Sequence, residues 1–518
     1  MYASTVTHDI APEKTQRAQR YSNWQNLLFW GIVVALVVVA IGMRLYHLGV
    51  PFDRDGYDEG VYWQTLRSMS AGSILYKQIF YSQPPFFILS TFPGYVLFGS
   101  SLWSARLGIA LVSLLGLLGA FVLGKVLSER LGAIAAMLLL IVNPIYLAES
   151  QTLQAEASST ALSLLAVGLA YLWWKYPAGT RGFMYAALTG ITITLSIMCK
   201  LLSVSIIVPI AFLMATRLWH IWQKQSGTRL SALLPILVGI VACILTFVVL
   251  LLPYAGSYQT LLQSVITFHS TAAQVYSYSQ QQNIATIQSV LTSLLTLTAF
   301  FGMLAALVRR DWRVLPLIAW FVATLYLLWH QVPLFQHHLI ALTPPLIALA
   351  VIGIGNHGLK SKESSNNILS KANPYITWIS IALILLTAVL NVQQDRVYYR
   401  TAVASSTSGL TRLESKVATD LRKAISADQL VVTDAQFIAG LADRNTSPDL
   451  VDTSAVRITS HYLTLSQLEN ATSQPQVHAV LFFTGRFYLP DIAGYHSWVA
   501  QHFHLLRNYG AGRELWIR

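Results

Sequence analysis

Asp58 and Glu59 follow shortly after the first long apolar run, in the stretch Asp53-Arg54-Asp55-Gly56-Tyr57-Asp58-Glu59-Gly60-Val61-Tyr62-Trp63. A helix starting at Asp55 would set Asp55, Asp58, Glu59 and Tyr62 at i, i+3, i+4 and i+7, on one face. Three carboxylates on one face repel each other, so folding alone does not favour them. A site that needs negative charge does. Asp58 is the candidate general base, since a base needs one carboxylate close to the proton it takes. Glu59 is placed to orient it or to pair with a cation. Asp55 and Asp58 are also candidate ligands for a hard divalent ion. The bland alternative is a solvated acidic loop, which is common on protein surfaces.

Three further groups have chemistry to offer. Glu156 opens an apolar run, where a buried charge is costly and function is the favoured explanation. Lys200 lies between two short apolar runs, 183–198 and 201–219, where exposed backbone also suits an anion. With Lys77 it could grip a phosphate by charge. His337 and His338 precede the apolar run 339–354. Adjacent positions on a helix point to different sides, so a shared metal is not expected of them, and they read as hydrogen-bond donors to a phosphate. Their structural alternatives are a snorkelling lysine, a solvated Lys77 and core histidines.

The elements that must position these residues are membrane spans. The chain has 518 residues, 54% hydrophobic and 11% charged. A soluble domain has about a quarter of its residues charged, so the deficit points to a bilayer. The net charge of +12 is spread over short turns between apolar runs, which argues against a nucleic-acid partner. Two cysteines, Cys199 and Cys243, both in apolar runs, provide no disulfide framework. About eleven runs reach a spanning length or nearly so: 27–45, 106–127, 131–147, 157–174, 183–198, 201–219, 230–253, the segment from about 286 to 308, 314–329, 339–354 and 375–392.

Basic turns fall at 125–130, 175–181, 217–229, 309–313 and 360–371. The positive-inside rule puts them in the cytoplasm together with the N-terminus. The segments 46–104, 146–156, 254–285 and 330–338 then lie outside, and so does the C-terminal part. Residues 1–26 form a polar cytoplasmic tail, 27–394 a membrane domain with its outer loop at 46–104, and 395–518 a soluble extracytoplasmic domain. Strand signals at 430–433, 477–483 and 514–517, with a helix through Leu441, give that domain an α/β character. The first span reads as a retained anchor in the plasma membrane rather than a cleaved signal.

Asp58-Glu59, Glu156, Lys200 and Gln336-His337-His338-Leu339 running into Thr343-Pro344-Pro345, in this order, resemble the GT-C superfamily of polytopic glycosyltransferases. The branch they resemble is that of protein O-mannosyltransferases and lipid A aminoarabinose transferases. Tyr76-Lys77 followed by Gln83-Pro84-Pro85 resembles the later part of that family's first outer loop. The segment with Asp434, Ala442-Asp443-Arg444 and Asp452 resembles the outer domain of bacterial members. Glu156 departs from the pattern, since several members have Asp there.

The resemblance implies transfer of a mannose-like hexose or a pentose from a polyprenyl-phosphate donor to an extracytoplasmic acceptor on a protein, lipid or glycan. Asp58 would be the base, with Glu59 and Glu156 in the catalytic group. Lys77, Lys200, His337 and His338 would hold the donor phosphate, with Arg106 added to them or bracing the acidic loop. Single displacement would invert the anomeric carbon. No cofactor is required on this reading, and a divalent cation is the one candidate. A transporter or flippase for polyprenyl-linked sugars is the alternative. It too would use acidic groups and broken helices in the membrane, but would hold its charges near mid-membrane.

Overall fold

A computed structural model describes residues 11–50, 56–223, 229–355 and 368–518. Asp53, Arg54 and Asp55, and with them the Asp55 half of the cation expectation, lie outside the described residues. The chain is mostly helical, with one small sheet near its C-terminus. The first helix, Ala11–Leu45, begins well inside the segment read as a polar tail.

Seven helices among the described residues are long and apolar enough to cross a bilayer. The number becomes eight if Ser277–Leu291 and Leu294–Val308, bent by 75°, count as one span. The difference from eleven has identifiable sources. Leu102–Ile141 counts once but contains most of both 106–127 and 131–147. Its backbone leaves the helical region at Ser128 (φ −145°) and Glu129 (φ 54°). A Cβ on Gly124 would stand 2.2 Å from the carbonyl oxygen of Gly132. In a straight helix residues eight apart are separated by about 12 Å, so the chain doubles back at this break. Val314–His330 and Gln336–Ile352 are apolar but shorter than a full span.

Packing ranks the spans. Ala155–Lys175 has 89% of its apolar window buried, whereas Leu233–Val275 has 6%. The first is therefore the central helix of the bundle and the second leaves most of its surface for lipid. Ala155–Lys175 packs on both Leu102–Ile141 and Gly179–Cys199. Polar contacts lock the latter pair: Ser196 Oγ donates to the Ser159 carbonyl at 2.9 Å and lies 2.9 Å from Ser163 Oγ. Hydroxyls such as these join helices where lipid gives no hydrophobic drive between them.

The C-terminal sheet has five strands: β1 (Leu430–Thr433), β2 (Asn445–Thr446), β3 (Val477–Phe482), β4 (His504–Gly510) and β5 (Arg513–Ile517), in the order β2-β1-β3-β5-β4. The first three are parallel, and β5 pairs antiparallel with β3 and with β4. β1, β3 and β5 match the sequence signals. β4 gives little apolar signal because most of its residues are exposed, as edge strands are.

One short helix joins the two halves of the molecule. Gly56–Ser70 lies against helix Gln436–Leu441 so closely that a Cβ on Gly60 would stand 2.3 Å from the Phe437 nitrogen. A Cβ on Gly440 would meet the Trp63 ring at 2.5 Å. Only glycine permits this approach. Gln64 then bridges backbone groups, donating to the Arg444 carbonyl at 3.0 Å and accepting from the Thr446 N–H at 3.2 Å. Arg67 reaches Asn445 Oδ1 and Asp443 Oδ1, each at 2.8 Å.

Candidate active site

Glu156 and Lys200 meet because two helix ends meet. Glu156 occupies the first turn of Ala155–Lys175, where the unpaired N–H groups favour a negative charge. Lys200 is the C-cap of Gly179–Cys199, where the unpaired carbonyls favour a positive one. Its extended backbone (φ −156°, ψ 130°) breaks the helix before the 3₁₀ turn Leu201–Ile206. The Lys200 ammonium donates to Glu156 Oε1. Nε2 of His337 lies 3.5 Å and Nε2 of His338 3.9 Å from the same oxygen.

The two histidines thus converge, contrary to the expectation that neighbours on a helix diverge. They sit at the start of a 3₁₀ helix, Gln336–Leu342, and pack edge to face with ring centroids 4.5 Å apart. The reach of two imidazoles brings both Nε2 atoms to the carboxylate between them.

Asp58, Lys200, His337 and His338 all line one cavity of about 430 Å³. Tyr57 and Tyr62 join them from the Gly56–Ser70 helix, and His269 from the segment after Leu233. Asp452 and Arg486 complete the lining from the C-terminal region. Behind Glu156 and Lys200 a second, narrow recess of about 20 Å³ is lined by Ser159, Thr160, Ser163, Ser203 and Ser205. That recess has room for about one water molecule.

Tyr57, Asp58, Val61 and Tyr62 set the cavity face of this helix, and at about 100° per residue Glu59 falls beyond its edge. It turns away from the cavity into a fully buried fork with Arg106: Nε to Oε1 at 2.7 Å and Nη2 to Oε2 at 2.6 Å. Glu59 Oε1 also accepts from the Leu153 N–H at 2.9 Å. Arg106 Nη1 donates to the Leu48 and Val50 carbonyls at 2.9 and 3.0 Å. Each residue takes one of its expected roles, Glu59 pairing with a cation and Arg106 bracing the acidic loop, while the other role of each is corrected. Glu59 is not placed to touch a substrate in the cavity. Arg106 braces the acidic loop and does not line the cavity. Lys77 is corrected as well. It is exposed on a tight turn, its N–H donating to Ile74, and lies outside the cavity lining.

The candidate cation ligands move accordingly. Among the described residues, Glu156, His337 and His338 form the group whose ligand atoms lie within 4.8 Å of one another, while Asp58 belongs to no such group. Two features of the arrangement fit a metal poorly. The Lys200 ammonium already occupies the Glu156 oxygen. The Phe335 N–H donates to Nδ1 of His338 at 3.3 Å, so the neutral ring carries its proton on Nε2. That nitrogen then faces the carboxylate as a donor and has no lone pair for a metal.

His269, Tyr57 and Arg486 were not singled out from the sequence. His269 Nε2 is 2.8 Å from the Ser82 carbonyl, which holds the ring at the cavity. Its sequence signal was there: 254–308 carries no charged residue yet is polar and aromatic in its first part. Arg486 had no local signal, being one of many basic residues in a soluble-looking segment.

The apolar helices and this cavity define the class of multi-pass helical membrane proteins, and comparison with known proteins narrows the fold. Residues 72–260 match the sequence model of the dolichyl-phosphate-mannose-protein mannosyltransferase family. No curated protein matches the sequence significantly. Among solved structures, ArnT from Cupriavidus metallidurans bound to undecaprenyl phosphate is similar at a TM-score of 0.61 and 15% identity, over 96% of this chain and 98% of that one. The Archaeoglobus fulgidus oligosaccharyltransferase in complex with Zn and sulfate is similar at 0.50 and 13%, over 90% of this chain and 69% of that one. At these identities the likeness is one of fold. The resemblance drawn from the sequence is matched by this fold and, over residues 72–260, by the mannosyltransferase family model.

Proposed function

We propose that the protein transfers a sugar, a hexose or a pentose, from a polyprenyl-phosphate donor to an acceptor hydroxyl, with Asp58 as base. The observation that carries this reading is the meeting of Asp58 with Lys200, His337 and His338 on one cavity. In the proposed step the acceptor oxygen attacks the anomeric carbon and gives its proton to Asp58. The bond from that carbon to the phosphate oxygen breaks, and its electrons leave with the lipid phosphate. One displacement inverts the anomeric centre. The leaving group is a stable anion, so it needs no acid. Lys200 and the Nε2–H of His338 are suited to steady the charge that grows on it.

Glu156 keeps Lys200 extended into the cavity, a positioning role. Glu59 and Arg106 act further back, by fixing the helix that carries Asp58. No step is routed through a metal. A lipid phosphate of the kind held by the similar Cupriavidus structure suits the donor half of this scheme. The active site would face the outside of the plasma membrane, with the N-terminus in the cytoplasm, as the basic turns suggest. A transporter is less well supported, because the ionisable groups gather at one end of their helices beneath the C-terminal domain.

The test compares cell-envelope glycans and glycoproteins by mass spectrometry in cells with the protein, without it, and with Asp58→Asn. A sugar absent from both the deletion and the Asn variant, while the purified variant still binds undecaprenyl phosphate, is the expected result. A base of this kind contributes about 10²–10⁴-fold. Full transfer by the variant would remove Asp58 from the mechanism.

A further inference from the structure

Arg486 stands on the part of the cavity wall that the C-terminal domain supplies. Its guanidinium lies 3.7 Å from the centroid of the Tyr57 ring. The loop that carries it is pinned from within. Buried Asp434 accepts from the backbone N–H groups of Phe483 at 2.8 Å, Thr484 at 3.2 Å and Arg486 at 3.0 Å. Backbone donors converging on a carboxylate hold a loop firmly. The ring beneath is held too: the Tyr57 hydroxyl donates to Asp452 at 3.3 Å and accepts from the Thr453 N–H at 2.7 Å. Burial first, and then the Asp452 charge, raise the Tyr57 hydroxyl well above its ordinary value, so it stays a donor.

The two cavity cations therefore differ. Lys200 is matched by Glu156. Arg486 has no side-chain hydrogen bond or ion pair with any described residue. Asp452, on the same wall, is engaged by Tyr57 and by the Ser454 N–H at 2.8 Å. A guanidinium offers five N–H donors in a planar fork that fits a phosphate or a carboxylate at two points. Stacking on an aromatic ring holds its orientation.

We propose that Arg486 recognises an anionic group on the acceptor, a phosphate or a carboxylate. The proposal rests on the glycosyl-transfer reading and deepens it by naming the acceptor's chemistry. The donor phosphate is served by Lys200 and His338 on the membrane-helix wall. Arg486, on another wall, sets the acceptor hydroxyl relative to Asp58, the sequence neighbour of the tyrosine it covers.

The test uses the full-length protein in detergent, loaded with undecaprenyl phosphate. Inorganic phosphate, glucuronate and, as a neutral control, glucose are titrated by calorimetry into wild type, Arg486→Gln, Arg486→Leu and Arg486→Lys. The expected result is a loss of about tenfold or more in affinity for phosphate or glucuronate in the Gln and Leu variants. Lys should fall between. Donor-lipid affinity, melting temperature and the glucose signal should stay at wild-type values, which separates recognition from a structural role. Stronger phosphate binding identifies a phosphate-bearing acceptor, and stronger glucuronate binding a carboxylate-bearing one. Unchanged anion affinity in Arg486→Gln after normal loading overturns this proposal alone. Weakened donor-lipid affinity in that variant also overturns it, by assigning Arg486 to the donor. Failure of the wild type to load would refute the donor reading and this proposal together.

Discussion

His338 shows how one backbone contact decides what a side chain can do. With Nδ1 accepting from the Phe335 N–H, the neutral ring keeps its proton on Nε2, and the ring lines the cavity. A glutamine can place an amide N–H in similar space, whereas phenylalanine cannot. His338→Phe should therefore weaken undecaprenyl-phosphate binding by about tenfold, the worth of one charge-assisted hydrogen bond. His338→Gln should keep part of it; equal losses in a lipid-binding titration would remove the donor role. The same tautomer bears on metal dependence. Transfer should persist after EDTA treatment, and an activity lost to EDTA and restored by Zn²⁺ or Mn²⁺ would show that Glu156 and the histidines are ligands after all.

At the scale of elements, the Gly56–Ser70 helix does two jobs on two faces. One face carries Tyr57, Asp58 and Tyr62 to the cavity. Behind it, Glu59 and Arg106 form a buried pair, each 0% exposed. Removing one partner of such a pair leaves an uncompensated charge and costs about 3–5 kcal/mol, while replacing both by apolar residues is often close to neutral. Arg106→Met should thus lower the melting temperature more than Arg106→Met combined with Glu59→Leu. If the double variant melts lowest, the pair contributes more than mutual neutralisation. Gly60→Ala tests the third contact of this helix. Its methyl group would collide with the Phe437 backbone, so transfer should fall through displacement of Asp58 even though no chemical group is lost.

For the whole molecule, the consequence is that the cavity is completed by two parts of the chain remote in sequence. The membrane helices supply Lys200 and the histidines, and the sheet domain supplies Asp452 and Arg486. Gln64 and Arg67 tie the two together. Replacing both by alanine should leave the bundle able to bind undecaprenyl phosphate but loosen the domain. Faster proteolysis near residues 405–409, with reduced transfer and unchanged lipid affinity, is the expected outcome. Wild-type proteolysis and transfer in that double variant would show that the helix–glycine contacts alone suffice.

Much was legible in the sequence because it depends on local chemistry. Apolar runs declare spans wherever lipid is the solvent, and a carboxylate or lysine beside such a run declares its cost. That was enough to single out Asp58, Glu156, Lys200 and the histidine pair, and to recognise β1, β3 and β5. Which groups meet was not legible. Asp58 and Glu59 are neighbours in sequence yet face different surroundings, because a 100° step on a helix packed on both sides separates them. Lys77 and Arg106 have the right charge, but one is carried outward by a turn and the other consumed by a buried partner. β4 gives a weak signal because it is an exposed edge strand, whereas the reach of His269 to Ser82 and the arrival of Arg486 over Tyr57 depend on contacts between segments far apart in sequence. Only the packed chain decides those, because they follow from which surfaces exclude water and lipid together, and no local pattern encodes that.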